Sequence, residues 1–271
     1  SGELRVLEEH PVLQRYLESL CGAGFIMDRR PSILDPAEQE SPAVRLMAGD
    51  PERKRRLRYS SSGGLRVCYG VRVIWALAPT GDDGSVVLVS ASHKRSLEPP
   101  ADLFRGEYDL ATVEPVLQVG DLLLCAATTL YGVRGRPKRL VEIEYVSTNS
   151  MPTAGFAEVT PPEWTTQLTP EQMAVIGPRT TGRGGTIHSN GEQIRLDQAA
   201  ERYPSPDYDL FDEMAPDPKE LWFWDVNGYL VLRGVLDEEW LAAAHRSIDA
   251  MMATQSSLPS GHPSALEEVP E

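Results

Sequence analysis

The chain has 271 residues, of which 41% are hydrophobic and 24% charged, and its formal net charge is -14. This composition is typical of a globular protein with a sizeable core, and the acidic balance argues against general nucleic-acid binding, since a phosphate backbone needs a cationic face. No apolar run reaches the roughly 18 residues that a membrane-spanning helix needs.

Apolar residues at near-helical spacing predict a helix over residues 4–20, which Gly22 and Gly24 end. Residues 25–64 are polar and contain four prolines, so they are predicted to form long loops. Within them lies the basic run at residues 51–58. Such a run can bind anions or act as a nuclear signal, but it is more often a solvated face.

Four apolar stretches predict strands. Residues 65–78 and 85–90 flank a Gly-Asp-Asp-Gly turn, a pattern that favours a β-hairpin. Residues 116–125 and 139–147 supply two further strands. The first part of the chain, residues 1–150, is therefore predicted to be mainly β.

The second part of the chain changes in composition. Residues 151–218 are rich in Pro, Thr, Gly and acidic residues and predict a partly ordered linker, with one short helix at the capping-box pattern of residues 169–172. Residues 219–252, called the C-terminal segment below, contain aromatic residues, an Asn-Gly turn, a predicted strand and then a helix that Asp237 can cap. Residues 253–271 are predicted to form a flexible tail.

The cysteines and histidines form no local metal or nucleophile motif. Cys21, Cys68 and Cys125 are too few and too scattered for a disulfide framework or a zinc site. None of the five histidines has Asp or Glu two residues later, and no two lie at a helical metal-ligand spacing. With no secretory signal visible at the start, this cysteine usage predicts a cytoplasmic or other reducing intracellular compartment.

Three quoted stretches carry a more specific pattern. "FWDVNGYLVLRGVLDEEWLAAAHRSIDAM" (223–251) has Asn-Gly-Tyr-Leu-Val-Leu followed by a helix. "VRVIWALAPTGDDGSVVLVSASHKRSL" (71–97) has a Trp-bearing strand, a Gly turn, a valine strand and Ser-His-Lys. "GDLLLCAATTLYGVRGRPKRLVEIEY" (120–145) has Gly-Asp, an apolar strand, Tyr-Gly and a later Arg. These stretches resemble the opening, middle and closing blocks of the phytanoyl-CoA dioxygenase family.

The resemblance implies a double-stranded β-helix, of the jelly-roll or cupin-like kind, with flanking helices. In that family a His-x-Asp pair and a distal His bind Fe(II) and leave positions open for 2-oxoglutarate and oxygen. A basic residue on a late strand grips the remote carboxylate of 2-oxoglutarate, and Arg139 matches that position. Arg139 is therefore the predicted cofactor-binding residue.

The expected iron ligands are missing from the matching positions. Tyr131 stands where the distal His is expected, and Met47 stands near the expected proximal His. Residues 25–70 contain no histidine at all. A phenol is a poor replacement for the neutral imidazole of a ferrous site. The sequence therefore predicts no catalytic residue, no metal ligand and no bound cofactor.

The blocks are also out of order, because the family's opening strand and helix follow the linker here. Residues 1–150 would be the C-terminal portion of one domain, and residues 219–252 would open the next repeat of a tandem array. Alternatively, the C-terminal segment completes the first domain, within the chain or by exchange with a second chain. The sequence favours the cut array.

The resulting hypothesis is a phytanoyl-CoA-dioxygenase-like protein that has lost its iron site and acts as a structural or binding domain. The alternative is an active dioxygenase that uses Fe(II) and 2-oxoglutarate to hydroxylate a lipid or small molecule. Expected partners are a small carboxylate or lipid-like ligand, and a neighbouring repeat or second copy bound through residues 219–252. Nucleic acid and a membrane span are not expected.

Overall fold

The structure of the protein is a computed structural model that describes residues 5–8, 10–21, 25–34, 59–62, 65–81, 84–95, 112–135, 139–147, 181–182, 186–189, 192–195 and 216–256. Its helices are α1 (Arg5–Glu8), α2 (Pro11–Cys21), α3 (Pro218–Asn227) and α4 (Glu238–Ser256). Its strands are β1 (Ile26–Ile33), β2 (Tyr59–Ser62), β3 (Leu65–Cys68), β4 (Gly70–Ala76), β5 (Gly84–Val89), β6 (Thr112–Val113), β7 (Leu122–Ala126), β8 (Tyr131–Gly135), β9 (Leu140–Val146), β10 (Thr181–Gly182), β11 (Thr186–Ser189), β12 (Glu192–Arg195) and β13 (Tyr229–Leu232).

The fold is mainly β, as predicted, and its sheets are antiparallel. The larger sheet has five strands in the order β1-β9-β4-β7-β13, and a smaller sheet has the order β6-β5-β8. Along the chain from β4 to β9, the strands cross repeatedly between these two sheets. This crossing places Tyr131, the first residue of β8, against one face of the larger sheet.

Alternating side chains of β4 face opposite sides of the larger sheet. Val71, Val73 and Trp75 join a buried cluster with the helices, whereas Ile74 and Ala76 join a second cluster with the smaller sheet. Both faces of β4 are fully buried, which explains its almost continuous apolar sequence. Each large apolar side chain buried in this way stabilises the fold by about 1.5–3 kcal/mol.

Two of the strand predictions were wrong. β4 and β5 do not form a hairpin, because β4 already pairs on both edges, with β9 and β7. The turn at Gly81 and Gly84 instead carries the chain into the smaller sheet. Residues 25–64, predicted to be loops, contain β1 and β2. β1 tolerates Pro31 because it is an edge strand whose register is irregular between Arg29 and Ser32.

The helix boundaries also differ from those predicted. The single helix predicted over residues 4–20 is two helices, and Pro11 is the first residue of the second, where its missing N–H is tolerated. The aromatic run that precedes the Asn-Gly turn of the C-terminal segment forms helix α3, for which no secondary structure was predicted, and the strand predicted after the turn is β13. Asp217 caps this helix in a capping box with Glu220, and Pro218 occupies its first turn.

The C-terminal segment packs on the body of the same chain. β13 pairs antiparallel with β7 from Tyr229 opposite Cys125 to Leu232 opposite Leu122. Buried side chains of α3 and α4 join the cluster on the helix side of the larger sheet: Trp224, Ala244 and Ile248. Among the described residues, no helix is long and apolar enough to cross a membrane.

The Ser-His-Lys motif holds this segment in place. His93 Nε2 donates to the Asp225 carbonyl oxygen at 3.1 Å, and Lys94 Nζ donates to the Asp225 carboxylate at 3.1 Å. The hydroxyl of Tyr59 also donates to the Asp225 carboxylate, and the Tyr59 ring packs edge-on against His93. Thr129 Oγ1 donates to the Gly228 carbonyl oxygen at 2.9 Å. We call these contacts the His93 clasp.

Gly228 is the tightest point of the clasp. Its φ is +77°, and a Cβ built there would lie 2.3 Å from His93 Nδ1. Gly234 offers a matched control, because its φ is +57° and a Cβ there would meet nothing within 4 Å.

We therefore expect Gly234→Ala to lower the free energy of unfolding by about 1–2 kcal/mol, which is the cost of left-handed backbone. Gly228→Ala should cost about 2–5 kcal/mol, because the steric overlap with His93 adds to that strain. Urea denaturation of both variants measures the difference. Equal losses in the two variants would contradict the close contact.

Stability should also depend on pH through two buried histidines. Burial lowers the pKa of His93 to about 4. Burial also lowers the pKa of His10 to about 4, although the nearby Asp237 carboxylate raises it in part. The unfolded chain therefore binds more protons than the folded chain between about pH 6.5 and pH 4. The stability that the two neutral imidazoles contribute is therefore fully present above pH 6.5 and is lost as the pH falls toward 4.

Between pH 7 and pH 5 we expect a loss on the order of 2 kcal/mol per histidine in the free energy of unfolding. His93→Gln should remove about half of this pH dependence. Urea titrations at a series of pH values measure it. An unfolding free energy that is constant from pH 7 to pH 5 would show that these imidazoles are not held in their neutral form.

Candidate functional site

A cluster of charged and polar side chains lies between the two sheets, with Arg72 of β4 at its centre. Arg72 Nε donates to Glu142 Oε1 at 2.6 Å, and Arg72 Nη2 lies 3.4 Å from Glu144 Oε2. The Tyr131 hydroxyl donates to the same Glu142 carboxylate, at 3.0 Å to Oε1 and 3.3 Å to Oε2. The central carbon of the Arg72 guanidinium lies 3.8 Å from the centroid of the Tyr131 ring. These four residues form what we call the Arg72 cluster.

The strand register explains how the cluster forms. Arg72 lies directly opposite Glu144 in the β4–β9 pair, and Glu142 is the diagonal neighbour on the same face. On the other edge of β4, Arg72 lies opposite Cys125 of β7. Tyr131, the first residue of β8, reaches the cluster from the smaller sheet. Residues far apart in the sequence thus meet because the chain crosses between the sheets.

The cluster is closed off from water. The side chains of Arg72, Glu142 and Glu144 are only 5%, 12% and 1% exposed. A guanidinium stacked on an aromatic ring in such a place gains an additional cation–π attraction. The Arg72 charge is therefore held by two carboxylates and one ring face.

The enclosed charges shift the pKa values of the groups around them. Burial lowers the pKa of the Arg72 guanidinium, but the neighbouring phenol and carboxylates raise it more, so the net pKa lies above its ordinary value. Burial, together with Glu142, raises the pKa of Tyr131 despite the opposing effect of Arg72. Burial likewise raises the pKa of Cys125 to about 12. At neutral pH the phenol and the thiol are therefore protonated.

One polar atom of the cluster has no partner. Arg72 Nη1 is buried and makes no hydrogen bond within the described part of the chain. A buried donor left without an acceptor costs about 1–3 kcal/mol, and more when it is charged. This edge of the guanidinium is therefore available to an oxygen atom that the chain itself does not supply.

The predicted site residues fall in different places. Tyr131 lies in the cluster, whereas Met47 lies outside the described residues. Arg139 precedes β9 on the helix side of the sheet, where it donates to His245 Nδ1 at 2.8 Å and to Asp249 Oδ1 at 2.9 Å. Its carboxylate-binding role stays a prediction, and its contacts are with α4 rather than with Tyr131.

The sequence reasoning missed the main members of the cluster. Arg72 stands in "GVRVIWA" and the two glutamates stand in "LVEIEYV", each as a charged interruption of an apolar strand. Read alone, such an alternation indicates a strand face in water. One cation and two anions on strands that are otherwise apolar could have indicated a buried ion-pair cluster.

In the described part of the chain, no group of three or more His, Cys, Asp and Glu side chains could hold a metal ion. The three buried cysteines, Cys21, Cys68 and Cys125, lie on separate elements.

No protein-family model and no curated protein sequence matches the chain. Among solved structures, it is similar to HygX from Streptomyces hygroscopicus with iron bound, at 17% identity and a TM-score of 0.38, over 50% of this chain and 64% of that chain. It is also similar to SnoN, a non-heme alpha-ketoglutarate-dependent epimerase from nogalamycin biosynthesis, at 18% identity and a TM-score of 0.38, over 55% and 57% of the two chains.

A third similar structure is the nickel complex of the non-heme monooxygenase ThoJ, at 18% identity and a TM-score of 0.35, over 54% of each chain. The matches thus span 54% to 64% of the length of these three proteins.

The cluster makes a stability prediction. Arg72→Ala removes the cation that pairs with Glu142 and should lower the free energy of unfolding by about 3–5 kcal/mol. Tyr131→Phe keeps the ring under the guanidinium and removes only one hydrogen bond, so it should cost about 1 kcal/mol. Chemical denaturation of both variants gives the comparison. If Arg72→Ala costs no more than Tyr131→Phe, the ion pairs do not hold the sheets together.

Proposed function

We propose that residues 1–150 and the C-terminal segment form one double-stranded β-helix of the phytanoyl-CoA dioxygenase kind, acting as a structural or binding domain. Three features support this fold: the antiparallel sheets, the strands that cross between them, and the family-like blocks of sequence. The Arg72 cluster lies between the sheets at the position where the family binds iron.

The observation that carries the proposal is the position of the Arg72 guanidinium. It lies against the ring of Tyr131, the residue at the position expected for the distal histidine. A ferrous ion at that residue would stand beside a fixed positive charge in a water-poor interior, where like charges repel strongly. The raised pKa of Tyr131 also disfavours the phenolate that a metal would need. The described residues around Tyr131 do not fit Fe(II).

The proposal assigns the C-terminal segment to the same domain. β13 extends the larger sheet beyond β7, and the His93 clasp fixes the turn between α3 and β13. Within this chain the segment buries Trp224, Leu230 and Leu232, whereas Trp222 stays 67% exposed. This contact of β13 with β7 favours completion of the domain within the chain over the cut array.

We expect the purified chain to bind no stoichiometric Fe(II) under anaerobic conditions and to release no succinate from 2-oxoglutarate above a no-protein background. The experiment combines calorimetric titration of Fe(II) with a succinate assay. Tyr131→His alone should leave both results unchanged, because Arg72 still occupies the neighbouring space. Binding of one Fe(II) per chain together with succinate release would establish the alternative, an active dioxygenase.

A further inference from the structure

We propose that α3 and β13 (residues 218–232) form a flap, which the neutral His93 imidazole holds closed and which acid releases while the other strands stay paired. The flap is the part of the C-terminal segment that the His93 clasp fixes. Its release exposes the outer edge of β7 and part of the buried cluster on the helix side of the larger sheet. The contacts involved belong to the clasp and not to the Arg72 cluster, so this device goes beyond the proposed function.

The place of β13 in the larger sheet makes the flap separable from the body. β13 is the last of the five strands, and β7 keeps its pairing with β4 when β13 leaves. Where β13 ends, the Asp121 carboxylate accepts from Arg233 Nη1 at 2.6 Å and from the Gly234 N–H at 2.8 Å. A Cβ at Gly234 would meet nothing within 4 Å, so the backbone has room to turn there. The flap can therefore swing about Gly234 while α4 keeps its contacts with Arg139.

The closed flap accepts only a neutral His93. Because His93 Nε2 donates to the Asp225 carbonyl oxygen, Nδ1 of the neutral ring carries a lone pair and no proton. Nδ1 is buried and has no hydrogen-bond partner in the described part of the chain, and a Cβ at Gly228 would lie 2.3 Å from it. The Gly228 carbonyl oxygen already accepts from the Ala126 N–H and from Thr129 Oγ1, both at 2.9 Å. A proton on Nδ1 would therefore be a buried charge without an acceptor.

The charges around His93 also disfavour its protonation in the closed flap. Burial lowers the pKa of His93 to about 4, against the raising effect of the hydrogen bond to the Asp225 carbonyl oxygen. The neighbouring Lys94 and Arg95 cations lower this pKa further. The Asp225 carboxylate opposes them, but it already accepts from Lys94 Nζ and from the Tyr59 hydroxyl. In the released flap the imidazole meets water and regains its ordinary pKa, so acid favours release.

Apolar burial opposes the release at neutral pH. The flap buries Trp224, Leu230 and Leu232, and the Tyr16 hydroxyl of α2 donates to the Glu220 carboxylate. These contacts set how rarely the flap opens, and the protonation of His93 sets how that equilibrium changes with pH. With a pKa of 6.5 in the released flap and about 4 in the closed flap, the opening equilibrium constant rises about 20-fold from pH 7 to pH 5.

The test is hydrogen exchange of the full chain, measured by mass spectrometry at pH 7, pH 6 and pH 5. Exchange is expressed as protection factors, which remove the intrinsic pH dependence of amide exchange. Peptides that cover residues 218–232 report on the flap, and peptides that cover β9 report on the larger sheet. His93→Gln removes the titrating group and keeps an amide that can donate to the Asp225 carbonyl oxygen.

His10→Gln is the matched control. Burial also lowers the pKa of His10 to about 4, so this residue titrates over the same range. Its ring packs against Trp75 of β4 and Trp240 of α4, outside the flap. Protonation of His10 therefore acts on unfolding of the whole chain and not on release of the flap.

We expect the protection factors of the flap to fall about 20-fold from pH 7 to pH 5 in the native chain and in His10→Gln. In His93→Gln they should change less than about twofold. The β9 amides should stay better protected than the flap at every pH, because they exchange only when the whole chain unfolds.

Equal protection of the flap and of β9 at every pH would show that the flap opens only with the whole fold. This result would overturn the inference from the native chain alone, even if His93→Gln does not fold. Flap protection that is constant from pH 7 to pH 5 would also overturn it. So would a 20-fold fall that persists in His93→Gln, because another group would then control the release.

Discussion

The fold depends on how one buried positive charge is held between two β-sheets. Removing a guanidinium from water costs several kcal/mol, and the cost is recovered only when good geometry and hydrogen bonds surround it. Arg72 meets that condition with two carboxylates from β9 and the Tyr131 ring from β8. The cluster therefore ties β4 to β9 and the larger sheet to the smaller one. In this way the pairing of β4 with β9 and the position of β8 depend on the same contacts.

The helix side of the larger sheet is stabilised differently, by apolar burial and by a segment distant in sequence. Trp75 and Trp224 are fully buried there, one from β4 and one from α3. β13 covers the edge of β7, which would otherwise present unpaired backbone groups. The His93 clasp then links the turn before β13 to the Ser-His-Lys motif. The C-terminal segment is thus part of the same folded unit as the sheet it covers.

The sequence predicted the β class, four of the strands that build the larger sheet (β4, β7, β9 and β13), and the helix after Asp237, because each has a local pattern of apolar residues. It did not predict which strands pair. The hairpin expected at Gly81 failed because both edges of β4 are taken by strands from later in the chain. α3 could have been found from its Asp-Pro-Lys-Glu start, which is a capping box with Pro at the first helical position.

The candidate site was only partly predictable for the same reason. Tyr131 was found because it replaces a histidine in a family-like turn, a feature visible within a few residues. Arg72 and its two glutamates lie some 70 residues apart, and nothing local shows that they face each other. Arg139, by contrast, matched a family position by spacing. It precedes β9 with left-handed backbone, at a φ of +52°, and its side chain contacts His245 and Asp249 of α4, toward the helices.

We propose that the Arg72 guanidinium occupies the position beside Tyr131 in place of a metal. The most direct measurement is a crystal structure of the full chain grown anaerobically with Fe(II) and 2-oxoglutarate. The account predicts that Arg72 stays paired with Glu142 and stacked on Tyr131, with no metal density at the phenol. Iron bound at Tyr131, with Arg72 displaced from the space between the sheets, would contradict it.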